Sequence, residues 1–330
     1  MKKILFISSV TDLSVGSYRI WVHDLNQTFI ELGIESKVLH HYSLEEIENH
    51  DVIICGKSDA SLAKDLKVKF PEKKVGIINL SSDNKKLPVD FAIAGSLEEM
   101  DSLSCYKNVF LYPLIEKMYQ NEEDCKVHEP KEKLIIGFHG HYPHLSKFNP
   151  HLKEALEELD ELCDLELKII TSNVPFKWEV GKPNIRNIII KGWNIKTFKK
   201  EMLSCDIGIV PNITPLSFTE LALETSIDLG LYNTDHIVRM KNKSNAGRCF
   251  VFHQLGIPVV ADFTPSNFHI LGDPRCGFIA FNKNSWIKSI LKLRDCKVRQ
   301  TIAYAAKKEF DRLYDPHIWA KRLYNNILEI

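Results

Sequence analysis

A chain of 330 residues is longer than one typical core serves and points to two domains of roughly 150 residues each. Its 44% hydrophobic and 26% charged content is that of a folded globular protein and excludes disorder as the main state. Forty-three basic and forty-three acidic side chains cancel, so no overall field favours nucleic acid or an anionic membrane, and any anion site has to be local.

In chain order, "KILFISS" predicts a buried strand, and the polar turn "VTDLSVGS" leads to a helix over about Tyr18 to Leu32 with Trp21, Leu25, Phe29 and Leu32 on one face. Short strands follow at "SKVLHH", "DVIICG", "KVGIINL", "DFAIAG" and "NVFLYP", alternating with helical stretches as in a parallel sheet covered by helices. From Glu116 to Lys133 the chain turns polar without an apolar period and reads as a linker. The pattern then restarts, with strands at "KLIIGFHG", "LELKIITS", "IRNIIIKGW", "DIGIVPN", "IPVVAD" and "CGFIAF" separated by helices, and three helical segments run to Ile330. The fold class is therefore α/β with two doubly wound, Rossmann-like domains: residues 1–115, a linker over 116–133, residues 134–312, and a last helical segment over 313–330.

No apolar run nears the roughly 20 residues a membrane-spanning helix needs, and "MKKILFISSV" turns polar too soon for a signal peptide, so the cytoplasm is the expected location. Eight cysteines without a CxxC pair read as reduced core thiols.

Ligands of open parallel sheets sit beyond the carboxyl ends of the strands. Behind the first strand stand Ser8, Ser9, Thr11 and Asp12, and Gly16, Ser17 and Arg19 open the next helix, with glycine for close approach and arginine as a forked donor. Behind "LIIGF" comes "HGHYPH", in which His139 and Gly140 are the favoured ligand-facing pair; no carboxylate accompanies the histidines, so no metal site is assigned. Gly56-Lys57-Ser58 is not a phosphate-binding loop, because the glycine required five positions earlier is Asp51, and no GxGxxG follows the first strand.

The segment "KNKSNAGRCFVFHQLGIPVVAD" crowds Lys241, Lys243 and Arg248 at the start of a buried helix. A helix N-terminus is already partly positive, so each cation there costs about 0.3–1 kcal/mol unless an anion offsets it. Free N–H groups around Asn245 and Gly247, with Lys243, Arg248 and a further charge from Arg239, form a predicted diphosphate cradle. The helix itself is apolar almost all round from Cys249 to Phe252 and ends at Gly256.

These residues resemble the GT-B glycosyltransferases, and a divergent branch of them. "LGIPVVAD" is similar to the family's segment holding the donor's diphosphate and ribose, "GFHG" to the turn opening its second domain, "DIGIVPN" to the strand before its donor loop, and "YDPHIWAKRLYNNI" to its closing helix. The resemblance is strongest from Leu134 to Trp319. It implies two facing domains with a cleft between them, Gly16, Ser17 and Arg19 on the acceptor side, and a nucleotide-sugar-binding second domain. It further implies sugar transfer to a glycan or glycolipid in polysaccharide biosynthesis, with no cofactor beyond the nucleotide-diphosphate sugar, no metal, no nucleic acid, and peripheral membrane contact through the acceptor. "TPSNFHI" would supply Ser266 and Asn267 as donor contacts, or a simple turn at Pro265. Where many retaining members carry two glutamates, this chain has Lys243 and Val251, so anomeric stereochemistry and donor stay open. For an inverting reaction the candidate bases are Asp12, His23 and Asp24. A nucleotide-sugar epimerase of the same fold, or a non-catalytic nucleotide-sugar-binding subunit, are the competing readings.

Overall fold

The computed structural model describes residues 2–78, 87–120, 123, 125–146, 150–172, 174–175, 177–178, 181–212 and 245–330. Two compact units divide the chain, one of residues 1–117 with 314–330, the other of residues 118–313. Among the described residues no helix is long and apolar enough to cross a membrane.

The first unit carries β1 (Ile4–Ile7), β2 (Ser36–Leu39), β3 (Val52–Cys55), β4 (Lys74–Ile78), β5 (Phe91–Ala94) and β6 (Val109–Leu111), all parallel, in the order β2-β1-β3-β4-β5-β6. Buried apolar residues point alternately to the two faces, as a sheet covered on both sides requires. Ile4, Phe6 and Ile54 join one core with Trp21, Leu25 and Phe29, while Leu5, Ile7 and Ile53 join the other with Ala63 and Leu66. The helix expected over 18–32 is built of α1 (Gly16–Tyr18), a π-helical stretch (Arg19–Asp24) and α2 (Leu25–Glu31). Helices α3 (Leu44–Asn49), α4 (Ala60–Lys69) and α5 (Leu97–Ser102) complete the layer. The C-terminal helix (Pro316–Glu329) returns to this unit, with Tyr324 edge-on to Phe29 and Leu323 and Ile327 in the same core.

The second unit carries β7 (Leu134–His139), β8 (Leu165–Thr171), β9 (Ile188–Gly192), β10 (Ile207–Val210), β11 (Val259–Asp262) and β12 (Phe278–Ala280) in the parallel order β12-β11-β10-β7-β8-β9. The order reverses between β7 and β10, which makes their carboxyl ends the switch point where such sheets bind ligands. Its described helices are α6 (Pro143–Ser146), α7 (Pro150–Leu162), α8 (Phe198–Leu203), α9 (Gly247–Gln254), α10 (Pro265–Leu271), α11 (Lys283–Lys292) and α12 (Cys296–Leu313); the C-terminal helix is α13.

The residues read as a linker are largely built into the second unit. Helix α9 ends in a Schellman turn: Gly256 has φ +69, its N–H donates to the His253 carbonyl, and Ile257 N–H to that of Phe252. The carbonyls left over are taken by the polar segment, Lys126 N–H on Leu255 at 2.9 Å and His128 Nε2 on Gly256 at 2.9 Å. Buried Arg299 holds the same segment through Glu129 O at 3.0 Å, while its Nη1 donates to the Leu293 and Arg294 carbonyls behind α11. Polarity here reflects bonding to helix ends, which composition cannot distinguish from solvation. All eight cysteines are free thiols, five of them buried.

Candidate functional site

The site forms around one side chain, Arg248, in the first turn of α9. Two glycines opposite each other, Gly137 on β7 and Gly208 on β10, let that helix approach the sheet. A Cβ on Gly208 would lie 2.5 Å from the Phe252 ring, and one on Gly137 would lie 3.7 Å from it. Phe252 is fully buried in this slot and fixes α9 over the switch point.

Arg248 is 9% exposed. Its Nη1 donates to Pro211 O at 2.7 Å, and its Nη2 to Asn212 Oδ1 at 2.9 Å and to His144 Nδ1 at 3.3 Å. Its guanidinium lies 5.7 Å from the ring centroid of Phe138 on β7, a cation–π contact. The methylenes pack on Gly140, which has φ +117 and where a Cβ would come within 3.1 Å of Arg248 Cδ. No carboxylate among the described residues forms an ion pair with it. Burial lowers its pKa to about 10, against the Cys249 thiol and the Asp262 carboxylate, so it is cationic at neutral pH. Isolated buried charges cost several kcal/mol, and among the described residues carbonyl, amide and imidazole dipoles, a ring face and the more distant Asp262 carboxylate offset that cost. The helix start adds to the unmet positive potential: Ala246 at the N-cap position caps nothing with its side chain, and the first turn has no acidic residue.

His139 ends β7 with its ring edge-on to Phe198 and Phe252, at centroid distances of 5.3 and 5.0 Å. Its Nε2 meets the Arg248 carbonyl at 3.3 Å, which makes Nε2 the protonated nitrogen. Burial pushes its pKa down to about 3, so the ring is neutral, and it braces the backbone of Arg248. Among the described residues no group of three or more His, Cys, Asp or Glu side chains could hold a metal ion.

The other residues singled out from sequence fall as follows. Asn245 and Gly247 are at the site, with Gly247 N–H donating to Asn245 Oδ1 at 3.1 Å. Lys241, Lys243 and Arg239 lie outside the described residues. Ser266 is buried in the first turn of α10. Asn267 is a correction: it is fully buried, its Nδ2 holds Asp262 O at 2.9 Å, its N–H donates to Thr264 Oγ1, and Cys249 Sγ meets its Oδ1 at 3.4 Å. Its amide locks α10 to β11 and does not face a ligand.

In the first unit Gly16 and Ser17 open α1 as read. Arg19 is the second correction: it is buried, with Nη2 and Nε on the Glu116 carboxylate at 2.6 and 3.0 Å and Nη1 on Leu13 O at 2.5 Å. It is an internal clamp and offers no forked donor to an acceptor. The exposed carboxylate of Asp12 accepts from Ser14 N–H and Oγ, which hold its pKa below the ordinary value. His23 Nδ1 lies 2.8 Å from Asp24 Oδ1, so these two candidates form a pair. Sequence reading named His144 only as one of the three histidines of its turn, favouring His139, and did not single out Asn212. Asn212 could have been found as the polar residue directly beyond a central strand; His144 gave no signal apart from its two neighbouring histidines.

No protein-family model and no curated protein matches the chain in sequence. Among solved structures it is similar to a glycosyltransferase from Rickettsia africae, with a TM-score of 0.62 at 12% identity, covering 99% of this chain and 98% of that one. It is likewise similar to Anabaena Alr3699/HepE in complex with UDP-glucose, with a TM-score of 0.61 at 11% identity and full coverage of both chains. A third similarity is to S. aureus TarM, solved with UDP, with a TM-score of 0.54 at 14% identity; it covers 84% of this chain, which spans 55% of the TarM chain. Both six-stranded parallel units and these likenesses give the chain the GT-B fold.

Proposed function

We propose that the protein is a glycosyltransferase that moves a sugar from a UDP-linked donor to a hydroxyl of a cell-surface glycan or glycolipid precursor. One observation carries this reading: an arginine that is buried and has no carboxylate partner among the described residues, in a first helical turn without an acidic residue, set between the carboxyl ends of β7 and β10. Such an arrangement binds a doubly charged leaving group, and diphosphate on a nucleotide is that group. The likeness to HepE, solved with UDP and with UDP-glucose, and to the lipopolysaccharide galactosyltransferase WaaB supports the choice of donor and acceptor class.

In the transfer, the bond between the anomeric carbon and the diphosphate oxygen breaks, one to the acceptor oxygen forms, and the acceptor's proton passes to a base. Negative charge grows on the departing diphosphate, where the guanidinium and backbone N–H of Arg248, together with Lys243, would stabilise it, a role that in this reading needs no metal. For the base, the His23–Asp24 pair is preferred over Asp12, because Asp24 on Nδ1 orients the ring and leaves Nε2 as acceptor. The enzyme would work in the cytoplasm.

The test is incubation with UDP-glucose, UDP-galactose and UDP-N-acetylglucosamine, with and without oligosaccharide and lipid-linked acceptors, followed by mass spectrometry. Product that forms only with acceptor supports transfer; altered sugar from donor alone identifies an epimerase. Thermal unfolding with UDP, GDP and CMP gives the binding arm, since ligand at a hundredfold its Kd adds about 2.7 kcal/mol. A midpoint that no nucleotide moves defeats the reading.

A further inference from the structure

A guanidinium has only N–H donors and no lone pair to offer. The contact of 3.3 Å between Arg248 Nη2 and His144 Nδ1 therefore fixes the imidazole: Nδ1 carries the lone pair and the ring is neutral. From this geometry we propose that His144 is a positioning residue of the diphosphate site, aiming the Arg248 guanidinium while neutral and releasing it when protonated. The proposal rests on the reading of Arg248 as the diphosphate ligand.

Two features make His144 an aiming device. Its neighbour Leu145 is fully buried in the core of the second unit, and the turn is closed by His144 N–H on His141 O and Leu145 N–H on Tyr142 O, so the ring is presented from a fixed backbone. The other two acceptors of Arg248 are a backbone carbonyl and an amide, which do not titrate, so His144 alone among the three side-chain contacts can change sign with pH. The groups that face this pair are His141 on the same turn, His139 at the end of β7, Cys249 on α9 and Asp262 at the end of β11. Burial first, then the Arg248 charge, then His141, keep the His144 ring well below its ordinary pKa, in agreement with the geometry.

The test is calorimetric titration of the full chain with inorganic pyrophosphate and with UDP, using wild type, His144→Phe, His144→Asn and Arg248→Ala. Phe keeps the ring and removes the acceptor, so affinity for both ligands should fall about tenfold. Asn restores an acceptor at the position of Nδ1 and cannot gain a proton, so its affinity should return to within about threefold of wild type. Below about pH 5, as the pH approaches the depressed pKa of the ring, wild type should weaken more steeply than His144→Asn, the ionisation of the phosphates being common to both. Wild-type affinity in His144→Phe, an Asn variant as weak as Phe, or equal acid slopes in wild type and His144→Asn would each overturn the proposal. If His144→Phe does not fold, the slope comparison decides alone. Loss in Arg248→Ala with His144→Phe unaffected leaves the donor site standing and removes only His144; wild type that binds neither ligand removes both readings.

Discussion

Arg19 and Glu116, 97 residues apart in the chain, meet inside the first unit through two hydrogen bonds of 2.6 and 3.0 Å, with both side chains almost out of solvent. The pair ties the loop behind β1 to the segment behind β6. Removing one partner strands a buried charge, and Arg19→Ala should cost about 3–5 kcal/mol. Replacing both, as Arg19→Met with Glu116→Leu, removes the stranded charge and should recover most of that loss. Urea unfolding of the three variants measures it, and a double variant no more stable than Arg19→Ala would show that packing, not charge, is the issue.

Gly140 should be intolerant of a side chain for two independent reasons. Its φ of +117 is rarely adopted by L residues, and a Cβ would press on Arg248 Cδ at 3.1 Å. Gly140→Ala is expected to cost about 1–3 kcal/mol and to weaken UDP binding beyond what that instability explains. Thermal unfolding and titration with UDP separate the two effects; wild-type affinity in a folded Gly140→Ala protein would show that Arg248 need not sit where it does.

All twelve strands of the described residues were legible as short apolar runs bounded by turns; the inner strands of a sheet covered on both faces bury nearly every residue, whereas the edge strands β2, β6, β9 and β12 are mostly half-buried. Of the cations read at the start of α9, Arg248 stands in its first turn, while Lys241 and Lys243 lie outside the described residues. Long-range polar pairing was hidden. Arg19 read as an available donor because its partner lay in a stretch that composition marked as linker, and Asn267 read as a ligand contact because a buried amide and an exposed one are the same letter. In both cases the tertiary partner decided the role.

Asn267 should therefore matter for stability and not for donor affinity. Asn267→Ala leaves Asp262 O without its buried donor, a loss of about 1–3 kcal/mol. The Kd for UDP of the folded variant should match wild type; an affinity loss with stability intact would return Asn267 to the ligand.

Four histidines whose pKa burial lowers, His144 and three others, predict acid sensitivity in the second unit. Burial lowers His128 to about 4, and His139 and His253 to about 3, against an ordinary value of 6.5. Each binds a proton more readily unfolded than folded, so its contribution is complete above about pH 6.5 and is lost as pH falls toward the folded value. The slope is about 1.4 kcal/mol per pH unit per group. Both His253 ring nitrogens are buried without a partner among the described residues, so His253→Leu should flatten the fall in urea midpoint between about pH 6.5 and about pH 4.5 by roughly a quarter. An unchanged slope would exclude His253 from the effect.

The slot between Gly137 and Gly208 offers the sharpest separation of packing from chemistry. Gly208→Ala would place its Cβ 2.5 Å from the Phe252 ring, so the helix has to move or the ring has to leave its rotamer. Overpacking of this kind costs about 1–3 kcal/mol, and because α9 carries Arg248, UDP affinity should fall as well. Phe252→Leu alone opens a cavity at a fully buried position and should also destabilise. Combined, the added methyl partly fills the space the ring vacates, so the double variant should be more stable than the sum of the single losses, with affinity recovering in step. Strict additivity in unfolding, or recovery of stability without recovery of binding, would show that the seating of α9 does not set the position of Arg248.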